Sequence, residues 1–294
     1  MQKWDVTKLA GHCGARLTGG TLADPDAQTV HAVKDALFAH GVLCVPDQHL
    51  TPEAHTALAK ALGEININRF FTPVAEHPHI AEVRTRPDQS AVIGGTWHTD
   101  HSYDPAPAAI SILSARTLPP FGGDTHFASQ TAALSALSPG LRETLSGMWA
   151  WHSDASFAGS ALEMNQDPDT YKGGVRHPVI IKHPVTGAAA LYVNGDFTTH
   201  FDGWTVEESA PLLKYLYRFC TQPILTCRIV WEPGMVVLWD NRLVQHYATA
   251  DYAGHARLMH RITIEGCVLE PMASGGAGLR QVVYGAGVLR PQHS

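Results

Sequence analysis

The chain has 294 residues and a formal net charge of −6 at pH 7, with 45% hydrophobic and 16% charged residues. This composition is typical of a compact globular protein and argues against a disordered chain. The negative net charge offers no basic surface of the kind that nucleic-acid binding needs, so we expect no polynucleotide partner.

The N-terminal segment 1–6 lacks the apolar core of a secretory signal peptide, and no stretch approaches the roughly 18 apolar residues of a membrane span. The five cysteines form no C-x-x-C pair, which favours reduced, buried thiols over a disulfide framework or a structural zinc site. We therefore expect a soluble cytoplasmic protein with no membrane partner. All-β domains often exceed 200 residues, so residues 1–294 are expected to form one domain.

Two helices separated by a strand are predicted near the start of the chain. Apolar residues recur at helical spacing over residues 26–40, and Gly41 follows where a C-cap glycine is common. The apolar run 42–46 indicates a buried strand. A second helix is predicted over residues 52–62, because Thr51 can cap it and proline suits its first position.

From about residue 80 the sequence changes to short β-rich runs separated by glycine, proline, aspartate and asparagine. The predicted strands cover residues 108–115, 179–182, 190–193, 227–231, 235–239 and 261–267. Helical patterns interrupt them at residues 130–137, 139–148 and 206–221. The pattern predicts a mainly β fold with flanking helices, a sandwich or jelly roll with its core at about 80–270. The glycine-rich segment 275–287 is predicted to be a loosely packed tail.

The motif Trp97-His98-Thr99-Asp100 suggests a metal site. In an extended strand, His98 and Asp100 project from the same face and can share one ion. His246 is the best candidate for a third ligand, because it follows an apolar strand and a turn and should emerge at a strand end. Two histidines and one carboxylate form the facial triad of non-haem iron(II) oxygenases. With 18 histidines in the chain, a chance H-x-D is the competing explanation.

The chain as a whole resembles the taurine dioxygenase and 2,4-dichlorophenoxyacetate dioxygenase family of iron(II)/2-oxoglutarate enzymes. The resemblance covers about residues 41–266 and depends on W-H-T-D at 97–100, G-G-D-T at 122–125, L-Y-V-N at 191–194, W-D-N-R at 239–242, Q-H-Y-A-T-A-D-Y at 245–252 and R-L-M-H-R at 257–261. It implies a double-stranded β-helix, or jelly roll, that carries iron(II) at one mouth. It also implies that 2-oxoglutarate and O2 are consumed to hydroxylate a substrate, with release of succinate and CO2.

The resemblance assigns roles to further residues. It implies that Arg257 pairs with the distal carboxylate of 2-oxoglutarate, a task that suits a permanently charged, bidentate guanidinium. Thr125 matches the family's hydroxyl donor to the same carboxylate. The alternatives are a surface ion pair for Arg257 and an ordinary turn threonine for Thr125. Asp100 favours oxygenation, because related halogenases have a small residue in its place so that chloride can bind.

Several positions depart from the taurine enzyme. Asn68 stands where a substrate-binding histidine is expected, Phe71 stands where a tyrosine is expected, and Gly94 and Gly95 replace polar residues. Each lost hydrogen bond to a buried charge costs about 1.5–3 kcal/mol, which argues against taurine as the substrate. Arg261 keeps the position that grips the anionic group in sulfonate-oxidising members, but a structural role for it is equally compatible with the sequence.

Aromatic side chains are the remaining candidates for a substrate pocket. Those that could line its organic part are Phe70, Phe71, Phe157 and Phe197. Buried aromatics are more often plain core, which is the alternative for each of them. His101 and Tyr103 follow the metal motif closely and should lie near the ion, where His101 is a further candidate for substrate binding. Tyr103 either contributes to the same contact or simply packs. These features predict a small anionic substrate that is bulkier or more apolar than taurine, namely an organosulfonate, an alkyl sulfate or an aryloxyalkanoate.

Two other functions are compatible with the same ligand residues. A zinc-dependent hydrolase could use them to activate water, but it would leave Arg257 and Thr125 without a role. A jelly-roll binding module that has lost its activity is the other, and the intact ligand set argues against it. Because the family often forms dimers or tetramers, a homo-oligomer is a further expectation.

Overall fold

The computed structural model describes residues 3–89, 93–157 and 173–273, and the glycine-rich segment lies outside them. The helices are α1 (Ala27–His40), α2 (Pro52–Leu62), α3 (Gln130–Ala136), α4 (Pro139–Leu145) and α5 (Val206–Cys220). The strands are β1 (Asp5–Lys8), β2 (Ala15–Thr18), β3 (Val42–Val45), β4 (Ile65–Asn66), β5 (Pro73–Val74), β6 (His77–Thr85), β7 (Ile110–Thr117), β8 (Thr125–Ser129), β9 (Trp149–Ser153), β10 (Gly174–Pro178), β11 (Ile180–Lys182), β12 (Ala189–Leu191), β13 (Thr198–Phe201), β14 (Thr226–Ile229), β15 (Val236–Asp240), β16 (Val244–Ala248), β17 (Arg257–Ile264) and β18 (Glu270–Pro271).

Local capping signals determine where the helices begin and end. The Asp26 side chain accepts a hydrogen bond from the backbone of α1, and Gly41 ends that helix with a φ of 73°. Thr51 caps α2 in the same way, and Thr205 forms a capping box with Glu208 at the start of α5. All five predicted helices are confirmed, with ends that differ by three residues or fewer.

Two sheets stack to form the centre of the molecule. The larger has the order β1-β2-β3-β15-β7-β17-β6-β5 with β4 paired to β17, and the smaller has the order β14-β8-β16. Buried side chains from both sheets, including Leu113, Phe127 and Met259, pack between them. On the other face of the larger sheet, Ile112 and Ile262 pack with α1 and α2. Because side chains alternate along a strand, Ser111 and Arg261 lie on the inner face with Leu113 and Met259.

The remaining helices cover the other side of the sandwich. Buried residues of α3, α4 and α5 form one cluster with strands of the sheets β10-β9-β13 and β12-β11-β18. The result is a mainly β protein with flanking helices, as predicted. Within the described ranges, no helix combines the length and the apolarity that a membrane crossing needs.

Six of the seven predicted strands are confirmed to within two residues at each end, but the last one is displaced. It was predicted at 261–267, whereas β17 begins at Arg257 and ends at Ile264. Its start was missed because the buried positions Arg257 and Arg261 are charged, so polarity in the sequence does not follow the alternation of burial. Four of the five cysteines are buried as expected, but Cys267, which follows β17, is exposed.

Candidate metal and co-substrate site

The three predicted ligand residues lie together between the two sheets. Metal-binding atoms of His98, Asp100 and His246 are all within 4.8 Å of one another, and the described residues contain no second group of this kind. Oδ1 of Asp100 is 3.5 Å from Nε2 of His98 and 3.8 Å from Nε2 of His246. All three side chains are buried. Two imidazole nitrogens and one carboxylate oxygen form a donor set that suits iron(II).

Main-chain hydrogen bonds hold the two histidines side by side. The N–H of His98 donates to the carbonyl of His246 at 3.0 Å, and the N–H of His246 donates back at 2.9 Å. The sequence prediction that His246 emerges at a strand end is wrong, because β16 continues to Ala248 and pairs along its length with β8. His98 and Asp100 were predicted to share one extended strand. His98 has that conformation, but Asp100 lies in a turn.

Charges around Asp100 favour its ionised form. Nη2 of Arg261 lies 2.9 Å from Oδ1 of Asp100, and the two side chains form a buried ion pair. Burial by itself would raise the pKa of Asp100, but Arg261 and the two histidines outweigh it and hold that pKa well below its usual range. Burial and the charge of His98 lower the pKa of His246 far below its ordinary value. Asp100 is therefore ionised and His246 neutral, as metal binding requires. Burial by itself would lower the pKa of His98, but Asp100 raises it, so a metal must displace the His98 proton.

Two residues that the sequence did not single out orient the carboxylate. The hydroxyl of Ser111 donates to Oδ2 of Asp100 at 2.7 Å, and the amide of Asn241 donates to Ser111 at 3.0 Å. The indole N–H of Trp239 in turn donates to Asn241 at 2.9 Å. The sequence did contain one signal for Ser111. A serine among the apolar residues of 110–113 should be buried with them, and a buried hydroxyl is normally hydrogen-bonded.

A small cavity of about 40 Å³ adjoins the ligand cluster, and Thr125, Arg257 and Arg261 help to line it. Arg257 is buried, and burial lowers its pKa. Its Nε and Nη2 atoms have no hydrogen-bond partner within the described ranges. A buried guanidinium without an acceptor is costly unless an anion binds there. The hydroxyl of Thr125 accepts from Trp231 at 3.0 Å, which leaves its own proton free to donate.

The G-G-D-T turn shapes this cavity. Gly122 and Gly123 have φ values of 68° and 69°, which favour glycine. The carboxylate of Asp251 accepts the N–H of Gly123 at 2.8 Å and so fastens the turn. A Cβ atom on Gly123 would lie 3.3 Å from the Arg257 side chain. The second glycine therefore leaves Arg257 the room that it occupies.

A second cavity of about 210 Å³ shares Arg261 with the first as a lining residue. Its wall is mainly apolar and includes Ile67, Phe71, Pro73 and Ala81. The Arg261 guanidinium lies 5.8 Å from the centre of the Phe71 ring. Its Nε atom is buried and has no hydrogen-bond partner in the described part of the chain. Arg261 is thus placed to contact both Asp100 and a group in the larger cavity.

Asn68 lines the larger cavity, but its polar atoms are engaged within the protein. Its amide nitrogen lies 3.0 Å from Nε2 of His101, and its oxygen accepts the backbone N–H groups of Phe70 and Phe71. His101 is buried with a φ of 56°, and burial lowers its pKa to about 3. This pairing supports a role for Asn68 in fixing the position of Phe71.

The other aromatic candidates form a separate cluster. Phe157 and Phe197 pack with Phe70 and Tyr103, and neither lines the two cavities described above. Phe197 lies 6.0 Å from the His98 ring, centre to centre, in an edge-on arrangement. The cluster therefore forms an apolar wall beside one metal-ligand candidate. Substrate contact by Phe157 and Phe197 stays a prediction.

Comparisons with known proteins agree with this geometry. Residues 5–263 match the family described as taurine catabolism dioxygenase TauD, TfdA family. The alpha-ketoglutarate-dependent sulfate ester dioxygenase of Pseudomonas putida is 33% identical, with 89% of each chain covered. The alkylsulfatase of Acinetobacter baylyi is 32% identical, with 95% of this chain and 89% of the relative covered. A crystal structure of a taurine dioxygenase from Burkholderia xenovorans has a TM-score of 0.79 and 31% identity, covering 91% of this chain and 93% of that one. The jelly-roll prediction is thereby confirmed.

Proposed function

The chain belongs to the taurine catabolism dioxygenase TauD/TfdA family, and from that premise we propose that it oxidises an organic anion with an apolar tail, at an iron(II) ion held by His98, Asp100 and His246. The protein is a 2-oxoglutarate-dependent dioxygenase. The observation that carries the proposed site is the buried guanidinium of Arg257, which has two nitrogens without an acceptor within the described residues and lines the same cavity as His98 and His246.

Each part of the proposed site has a distinct task. Iron(II) supplies the chemistry when bound, since 2-oxoglutarate is decarboxylated to succinate and CO2 while one oxygen atom of O2 enters a substrate C–H bond. Arg257 grips the distal carboxylate of 2-oxoglutarate in a charge-assisted pair, and Thr125 donates its hydroxyl proton to the same group. Asp100 remains ionised beside Arg261. The apolar wall with Phe197 keeps water away from the reacting atoms.

The larger cavity supports an alkyl sulfate as the substrate. Arg261 offers a cation whose Nε has no partner among the described residues, and a sulfate group suits it. The apolar wall suits a hydrocarbon tail, whereas the ammonium group of taurine would find the Asn68 oxygen already occupied. Hydroxylation of the carbon that bears the sulfate gives an unstable product, which splits into an aldehyde and inorganic sulfate. The sulfate ester enzymes among the relatives support this choice.

A substrate panel tests the proposal. The iron-loaded enzyme is supplied with 2-oxoglutarate, O2 and one of three anions: an alkyl sulfate, taurine or an aryloxyacetate. We expect the alkyl sulfate to stimulate succinate release most strongly and to yield aldehyde and sulfate in equal amounts. Preference for taurine would contradict the apolar-tailed substrate. Sulfate release without O2 and 2-oxoglutarate would favour a zinc hydrolase and refute the proposed chemistry.

A further inference from the structure

The two oxygens of the Asp100 carboxylate have different surroundings. Oδ1 faces the Nε2 atoms of both histidines and lies 2.9 Å from Nη2 of Arg261 in an ion pair. Oδ2 accepts the Ser111 hydroxyl at 2.7 Å, and both residues are buried. The carboxylate therefore presents one oxygen toward the ligand cluster while the other is bonded to the protein.

The Ser111 hydroxyl has its direction fixed by a chain of donors. The Trp239 indole can only donate, so the amide oxygen of Asn241 must face it. The amide nitrogen of Asn241 then faces Ser111 and donates to its oxygen at 3.0 Å. The one proton of the Ser111 hydroxyl is left to donate to Asp100. Aligned donors of this kind strengthen one another in a buried setting.

We propose that Ser111 is a positioning residue that restricts Asp100 to binding the metal through one oxygen. This inference rests on the proposed function. A carboxylate can bind a cation with one or both oxygens, and binding through both would require the group to turn so that Oδ2 also faces the ion, which the charge-assisted bond from Ser111 opposes. A facial triad serves an oxygenase only if positions on the ion stay open for 2-oxoglutarate and O2. By holding Oδ2, Ser111 keeps one of those positions from being taken by the protein.

The same strand provides a matched control. Ser114 is also a fully buried serine of β7, but it lies on the face that packs against α1 and α2. Its hydroxyl has no hydrogen-bond partner within the described ranges. Ser114→Ala therefore removes the same group from the same strand without touching Asp100. Ser111→Cys nearly preserves side-chain volume but donates weakly, so it separates loss of the hydrogen bond from loss of packing.

The experiment uses Co(II) as a probe in place of iron and N-oxalylglycine as an unreactive analogue of 2-oxoglutarate. In the Ser111→Ala and Ser111→Cys proteins, we expect the infrared carboxylate bands of the Co(II) form to shift to those of two-oxygen binding. We also expect the affinity for N-oxalylglycine, measured by calorimetry, to fall about tenfold. Ser114→Ala should match the wild type in both measurements.

The outcomes separate the two levels of the hypothesis. If the wild type binds no Co(II), the proposed metal site itself is wrong. If the wild type binds Co(II) and both Ser111 variants keep its bands and its affinity for the analogue, the role of Ser111 is refuted while the site stands. A change in Ser111→Ala but not in Ser111→Cys would assign the effect to packing and would also refute the inference. Circular dichroism melting curves establish that each variant is folded.

Discussion

Arg257 shows how a single buried residue can work against stability in the absence of a ligand. Its guanidinium is 4% exposed, and two of its nitrogens have no acceptor among the described residues. An unpaired buried charge lowers the free energy of unfolding, and an anion bound beside it would offset that loss. The same side chain should therefore lower the free energy of unfolding of the free protein and raise affinity for 2-oxoglutarate.

We predict opposite effects of Arg257→Gln on binding and on stability. The KM for 2-oxoglutarate should rise about 30- to 150-fold, because removing one partner of a buried charge pair costs about 2–3 kcal/mol. Urea unfolding of the ligand-free variant should show stability that is unchanged or greater. Arg84→Gln on β6 changes an exposed arginine and serves as the control. A large loss of stability in Arg257→Gln would mean that its role is structural.

At the scale of residues, which side chains lie together could be predicted where the signal was local or where a motif carried it, while their roles as ligands stay predictions. His98 and Asp100 are two positions apart and lie together with His246. Asn241 was overlooked because its contact with Ser111 joins residues 130 positions apart. Asn68 was expected to face substrate, but whether its side chain would bond within the protein depends on the position of His101, which no local pattern gives.

At the scale of elements, local signals again distinguish what could be predicted. A helix cap joins residues three positions apart. The beginnings of α1, after its N-cap Asp26, and of α5, after its N-cap Thr205, could therefore be predicted from a few residues. The strand β16 was missed because its pairing is with β8, more than a hundred positions away. Five residues with a mixed polar pattern carry no signal of their own.

The irregular segment 94–98 lies beside β16 and is hydrogen-bonded to it at His98 and Gly94. The N–H of Ala248 donates to the carbonyl of Gly94 at 2.8 Å, close to the paired histidines. Gly94 has a φ of 76°, and a Cβ atom there would lie 3.1 Å from Cε1 of His98. This segment therefore leaves no spare room beside a predicted metal ligand.

Gly94→Ala should weaken metal binding through this contact. The matched control is Gly147→Ala, because Gly147 has a φ of 83° and no atom within 4 Å of its added Cβ. Both variants should lose about 1–2 kcal/mol of stability from the left-handed backbone conformation. Calorimetry should show an affinity for Co(II) that falls about tenfold in Gly94→Ala alone. Equal affinities for Co(II) in the two variants would mean that the His98 ring can move away from the added Cβ atom without weakening metal binding.

At the scale of the whole molecule, buried neutral histidines tie stability to pH. Burial lowers the pKa of His55 to about 3 and that of His177 to about 4, and Arg116 and His260 further lower that of His55. Both pKa values lie below that of an unfolded histidine, so the unfolded chain binds more protons between about pH 6.5 and these values. The contribution of these two histidines to the free energy of unfolding is therefore fully present above about pH 6.5 and is lost as the pH falls toward their folded-state pKa values.

The variant His55→Leu should remove the contribution of His55 to this pH dependence of stability. Neither ring nitrogen of His55 has a hydrogen-bond partner within the described ranges, so an apolar side chain of similar size should fit its site. From pH 7.5 to pH 5, the variant should lose about 2 kcal/mol less stability than the wild type in urea unfolding. His31→Gln at an exposed position of α1 is the control. Equal losses in the wild type and in His55→Leu would refute this role.

The overall architecture was easier to predict than the specificity. Alternating short strands indicated a mainly β protein, and the motif order indicated the family. The substrate depends on Arg261 and on the wall that contains Phe71, and their relation to Asp100 follows from three-dimensional packing. The single domain, the homo-oligomer and the cytoplasmic location all stay predictions.

The reciprocal main-chain bonds between His98 and His246 have a consequence for how such a protein can change over evolution. Their backbones are fixed to each other by strand register, so the number of residues between them does not determine the spacing of their side chains. Insertions and deletions in the intervening surface loops are tolerated wherever the paired strands are left intact. Changes in loop length can thus alter substrate specificity, while the relative position of the two imidazoles stays the same.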